Sequence, residues 1–194
     1  MMLPRSGEMH QRKSLPSVTE ILQAAHLGVD LGIPDGKLEY VLRRGTALHS
    51  AIELDLAGDL DAASVHEDIA PRLDAFRKFA KDVNLKPIAT EIELTNHEWR
   101  VLGHPDLVAT MNGRPQRVLV DWKSSPLDRF AARYQLAAYR WLWDTTYPAD
   151  PIDECVVVHL RDDGTAWPHA IDTTGALHVF QAAVVCWWAR KERE

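Results

Sequence analysis

Three residues in this sequence, Asp106, Asp121 and Lys123, have types and spacing suited to chemistry on a phosphate. Gly103-His104-Pro105-Asp106 is followed, after fourteen intervening residues, by Asp121-Trp122-Lys123. Apolar segments approach and leave an Asn112-Gly113 pair between them, and both residues of that pair tolerate the positive φ of a tight hairpin turn. A two-residue loop pairs Met111 with Arg114 and sets Asp106 opposite Leu119, with Asp121 as its diagonal neighbour. A four-residue loop, to which Pro115 is suited, sets Asp106 directly opposite Asp121. Either even-numbered loop places Asp106, Asp121 and Lys123 on one sheet face, with the carboxylates roughly 5–8 Å apart. A three-residue loop separates them, and the residues then read as ordinary solvated strand charges. Two carboxylates so placed repel unless a divalent cation lies between them, and oxygen ligation with room for water suits Mg²⁺ or Mn²⁺. Lys123 projects beside that position, where its charge stabilises a phosphate or holds an attacking water.

The elements that must position these residues follow from hydrophobic period. Ser17-Val18-Thr19-Glu20 has the form of a capping box opening a helix over 17–25. A loop broken by Gly32, Pro34 and Asp35 is expected over 28–36. Leu38, Val41, Leu42, Gly45, Leu48, His49 and Ile52 recur at helical spacing and predict a helix over 38–57 with these residues buried. A third helix is expected over 67–83. The period then changes to two, predicting strands over 88–94, 99–111 and 116–122. Ser125-Pro126 is read as the start of a helix over 125–146. Strands over 155–160 and 165–171 and a helix over 175–190 complete an α/β chain. The expected organisation is a flexible leader over 1–16 and one domain over 17–194, with a helical cap at 17–86 and an α/β core at 87–194.

Composition narrows the class. The chain has 194 residues, 46% apolar and 26% charged, which excludes wholesale disorder and a collagen-like chain. The net charge of −6 argues against a protein that coats DNA by neutralising phosphates, and leaves an enzyme that grips nucleic acid around an acidic metal site. No apolar run approaches the ~18 residues of a membrane span and no signal-peptide core is evident, so a cytoplasmic protein without membrane contact is expected. Two cysteines, Cys155 and Cys186, exclude a four-cysteine iron–sulfur cluster built from this chain alone. The seven tryptophans read chiefly as packing, with a base-stacking platform as the other use.

Pro105-Asp106 followed by Asp121-Trp122-Lys123 is the pattern of the PD-(D/E)XK nuclease superfamily. Gly103-x-x-Asp106, Asp121-x-Lys123 and Gln135-x-x-x-Tyr139, in that order, resemble its RecB-type branch, which includes λ-exonuclease-like and phage members. Ser17-Val18-Thr19-Glu20-Ile21-Leu22 and Arg44-Gly45-Thr46-x-x-His49 resemble the phage members in particular, so the likeness spans about 17–143. The resemblance implies a restriction-endonuclease-like core, a mixed central sheet flanked by helices. It implies metal ligation by His49, Asp106, Asp121 and the backbone carbonyl of Trp122, with Lys123 as the catalytic lysine. It also implies a Glu91 carboxylate near the metal and Gln135, Tyr139 and Arg44 supporting the site and the DNA.

The pattern alone leaves Glu91 and Glu93 on one strand face, and the likeness selects Glu91. Without the likeness, His49 on an apolar stripe reads as a core histidine; Glu53, one turn later, is expected to orient its ring. Arg43, Arg44, Arg129, Arg133 and Arg140 are expected as phosphate contacts or as a solvated helix face. The implied activity is a metal-dependent DNA exonuclease of recombination or repair, working alone or beside a helicase or annealing protein. Asp121→Ala and Lys123→Ala are expected to fold normally and lose cleavage. A non-catalytic nucleic-acid-binding or scaffold module that keeps the fold is the second reading.

Overall fold

The computed structural model describes residues 15–28 and 35–193. Residues 1–14 of the expected leader and 29–34 of the expected loop lie outside the described residues. The Ser17 hydroxyl accepts from the Glu20 amide, and the Glu20 carboxylate accepts from the Ser17 amide at 2.7 Å, so the capping box starts α1 (Val18–Ala24). Two longer helices follow, α2 (Asp35–Ala57) and α3 (Ala70–Asp82).

The strands are shorter than their hydrophobic pattern suggests, because the chain bends twice between two sheets. Glu91 has φ +46°, which stops the alternation and ends β1 (Lys86–Thr90). The expected strand over 88–94 therefore continues only as β2 (Leu94–Asn96), in a separate two-stranded sheet with β3 (Val101–Gly103). His104-Pro105-Asp106 bends the chain back, splitting the expected strand over 99–111, and β4 (Leu107–Thr110) rejoins β1 in the main sheet. The hairpin continues into β5 (Val118–Lys123), and α4 (Arg129–Thr146) crosses to β6 (Glu154–Leu160). The antiparallel β7 (Ala166–Ala170) and the helix α5 (Ala176–Lys191) close the chain. Pro126 lies ahead of α4 rather than in its first turn; the Asp128 carboxylate caps it by accepting from the Phe130 and Ala131 amides.

The fold is thus mixed α/β, with a five-stranded sheet ordered β1-β4-β5-β6-β7 in which only β5 and β6 are parallel. Helices α1, α4 and α5 pack on one face around Leu119, Val108 and Val157. Residues of α2 and α3 pack on the other around Trp122, Val120 and Val158, where Phe76 and Phe79 meet the Trp122 ring edge-on. Among the described residues, no helix is long and apolar enough to cross a membrane.

Leu107 pairs with Val120, Val108 with Leu119 and Ala109 with Val118. One step further sets Asp106 level with Asp121, the register of the four-residue loop. Asn112 and Gly113 do take positive φ, and the Arg114 amide donates to the Met111 carbonyl, so the tight turn forms without fixing the register. The ladder begins only at Val118, beyond Pro115.

Gly103 lets α4 rest directly on β3. A Cβ there would lie 2.8 Å from Tyr139 Cε1 and 2.9 Å from Leu142 Cδ1. Gly103→Ala is expected to destabilise the protein by about 1–3 kcal/mol, by forcing Tyr139 and Leu142 off their packed positions. Urea unfolding measures this; Tyr139 also contacts the Gln135 side chain, so the shift reaches that residue.

Candidate active site

Helix α2 passes the C-terminal end of β5, where Arg44 donates to the Ser124 carbonyl at 3.3 Å and Gly45 faces the Ser124 side chain. One turn on, His49 Nε2 lies 2.9 Å from the Trp122 carbonyl. A carbonyl only accepts, so Nε2 carries a hydrogen. Nδ1 then faces Asp106 Oδ1 at 3.3 Å and Glu91 Oε1 at 3.9 Å. Asp106 is itself fixed by its other oxygen, which accepts from the Trp122 amide at 2.8 Å. His49, Glu91 and Asp106 offer ligand atoms that all lie within 4.8 Å of one another.

Asp121 and Lys123 adjoin this group as a buried ion pair. Nζ lies 2.8 Å from Asp121 Oδ2 and hydrogen-bonds Oδ1 at 3.0 Å; the Asp121 side chain is 2% exposed. Both carboxylate oxygens of Asp121 thus face the one ammonium group. Nζ also donates to Gln135 Oε1 at 3.3 Å, and Gln135 Nε2 donates to the Tyr139 hydroxyl at 3.3 Å. Thr19 on α1 hydrogen-bonds the same hydroxyl, so a chain of four side chains runs from α1 to the lysine. Burial pushes the Tyr139 hydroxyl up to about 12.

The charges shape one another. Burial disfavours a charged His49, but the charge and hydrogen bond of Asp106, with the Asp121 charge, overcome this and push the imidazole up to about 9. Burial and the Asp106 charge push Glu91 up to about 7. Burial opposes ionisation of Asp106, yet His49, Lys123 and the Trp122 amide hold it below the usual carboxylate range. Burial and Asp106 raise Asp121. Burial opposes the Lys123 charge, but Asp121 and Asp106 raise it above the ordinary lysine value.

Several expectations are redrawn by these contacts. Glu91 and Glu93 do not share a face: the positive φ turns Glu91 toward His49, whereas Glu93 pairs with His104 at 3.3 Å near the surface. The Trp122 carbonyl, an expected ligand, lies beside the His49 ring at 2.9 Å and keeps a second lone pair. His49 is oriented by Trp122 and Asp106 rather than by Glu53, which stands exposed on the cleft wall. Of the five arginines, Arg44 alone touches the segment beside the site; Arg43 pairs with Glu39, Arg129 with His169, Arg133 with the Thr174 carbonyl and Arg140 with Asp144. Leu38, Val41 and Leu42 do not join the core. They line a cleft of about 720 Å³ with His49, Glu91 and Lys123, and Leu42 is 58% exposed. Thr19 stands in the motif of the first helix without a role attached to it, and the Trp122 amide carries no sequence signal, since both act through contacts made only on folding.

A raised His49 and Glu91 predict a pH-dependent competition between protons and a cation. His49 gains stability when charged, so that contribution is complete below about 6.5 and lost as pH rises through about 9. Glu91 gains from being neutral, a contribution lost as pH rises toward about 7. The melting temperature in EDTA is expected to fall from pH 6.5 to pH 9, and the stabilisation by added Mg²⁺ to grow across the same window. Thermal melts in a pH series with and without Mg²⁺ check both trends.

No family model and no curated protein matches the chain. Among solved structures it is similar to the crystal structure of SSO0001, at 15% sequence identity and a TM-score of 0.43 over 89% of this chain and 74% of that one.

Proposed function

We propose that the chain is a divalent-cation-dependent DNA nuclease of the PD-(D/E)XK superfamily, RecB-type branch, acting on DNA ends in recombination or repair. The observation that carries this reading is the meeting of His49, Glu91 and Asp106 beside the Asp121–Lys123 pair at one end of an open cleft. The donor set fits the implied cation: imidazole and carboxylate ligands suit Mn²⁺, carboxylates with water suit Mg²⁺, and His49, Glu91 and Asp106 bring ligand atoms within 4.8 Å of one another. His49, Asp106 and Asp121 would hold it. Bound there, Mg²⁺ or Mn²⁺ supplies Lewis-acid activation of water and charge neutralisation at the phosphate.

The chain's own groups do the rest. Lys123, held by Asp121 and by Gln135, presents a fixed positive charge to the phosphate oxygens as negative charge develops on them. Glu91, near pH 7 in its titration, accepts the proton of the attacking water. Asp106 orients the His49 ring and ties it to β5 through the Trp122 amide. Release of acid-soluble nucleotides from linear DNA tests the reading: it should require Mg²⁺ or Mn²⁺ and vanish in EDTA. Failure of wild-type protein to release nucleotides with either cation would overturn it.

A further inference from the structure

The sheet register carries the active-site face beyond the cleft. Lys123 on β5 pairs with His159 on β6, and His159 pairs with Trp167 on β7. Paired residues share a face, so these three side chains stand in one row across two strand spacings, ~10 Å. Asp121, Val157 and His169 form the row beside it. β7 is the edge strand, and Trp167 is 51% exposed there.

Cationic groups gather around that indole. Arg161, two residues beyond His159, lies over the Trp167 ring at 4.8 Å and pairs with Asp163 at 3.0 Å. Arg129, at the start of α4, contacts His169 Nδ1 at 3.0 Å and so is pinned to the same edge; the next residue, Phe130, is 56% exposed. Burial, and then the Arg161 charge, hold the His159 imidazole below its usual range, against the opposing charge of Asp162. In a chain of net charge −6, this edge concentrates cations and exposed aromatic rings in line with Lys123.

We propose that the β6–β7 edge is a track for single-stranded DNA entering or leaving the cleft, with a base stacked on Trp167 and phosphates met by Arg129 and Arg161. The inference rests on the nuclease reading of the cleft. Any base offers a π-face to the indole, so the track is tolerant of sequence, whereas paired bases inside a duplex are already stacked.

Binding of a fluorescein-labelled oligothymidylate in EDTA, followed by anisotropy, tests it. Trp167→Ala should bind about tenfold more weakly than wild type, and Trp167→Phe should stay within about threefold. Binding of a labelled blunt duplex should change less than twofold in Trp167→Ala. Arg161→Ala should flatten the dependence of affinity on salt. Trp167 is exposed, Arg161 is half-buried, and neither belongs to the buried core, which thermal melts of each variant verify. Wild-type affinity for the oligonucleotide in Trp167→Ala, or an equal loss for single strand and duplex, overturns the track and leaves the nuclease reading standing. Wild-type protein that binds neither DNA in EDTA overturns the track; the nuclease reading falls with it only if the same protein also releases no nucleotides with Mg²⁺ or Mn²⁺.

Discussion

Lys123→Ala is expected to lower DNA cleavage by about 10²–10³-fold, the usual effect of removing one preorganised charge from a reacting phosphate or acyl centre. The same change should destabilise the protein by about 3 kcal/mol, because it leaves the Asp121 carboxylate buried without a counter-charge. The sequence alone suggests a variant that folds normally; the buried ion pair is why the structure predicts otherwise. Two measurements separate the effects. Urea unfolding of Lys123→Ala should show the loss diminish as pH falls, since a protonated Asp121 needs no partner. The double variant Asp121→Ala/Lys123→Ala should recover most of the stability and none of the cleavage. Equal stability of wild type and Lys123→Ala at neutral pH would show that the pair is not closed in solution.

Asp106→Ala has the second large effect, because one carboxylate serves three neighbours. It accepts from the Trp122 amide, faces His49 Nδ1 and raises the Glu91 pKa by its charge. Its removal should abolish the Mg²⁺-induced rise in melting temperature, expected in wild type at roughly 5–10 °C for a hundredfold excess over Kd. Cleavage should fall by about 10³-fold. With the anion gone, His49 should titrate nearer its ordinary value, readable by NMR of the imidazole. Asp106→Asn keeps an acceptor for the Trp122 amide without the charge, so it should restore stability while cation binding and cleavage stay lost. A full Mg²⁺ response in Asp106→Ala would remove this residue from the cation site.

The parts of the site legible in the sequence are those set by local period and spacing. Asp106, Asp121 and Lys123 meet because the register is that of an even-numbered loop, one of the alternatives their spacing offered, and Ser17 with Glu20 announces its helix by the capping box alone. The register itself was open: the Asn112-Gly113 turn forms, yet the residues up to Arg117 stay out of the ladder, a balance that short-range propensity does not decide. Glu91 is misplaced by its own alternating neighbours, since the positive φ that turns it into the cleft is imposed by the crossing between two sheets. Leu38, Val41 and Leu42 carry a core-like period and line the cleft instead, because period records a shared helix face and not what covers it. Gly103 is a motif residue whose physical reason, the approach of Tyr139 and Leu142, exists only once α4 is docked.

The most direct test of the nuclease reading is digestion of linear DNA labelled at either end, run beside covalently closed circles, with Mg²⁺, Mn²⁺ or EDTA. Cation-dependent loss of the linear DNA with the circles untouched, abolished in Lys123→Ala, is the predicted result, and the label lost first gives the polarity. Intact linear DNA in every cation would contradict the reading and leave a fold that binds nucleic acid without cutting it.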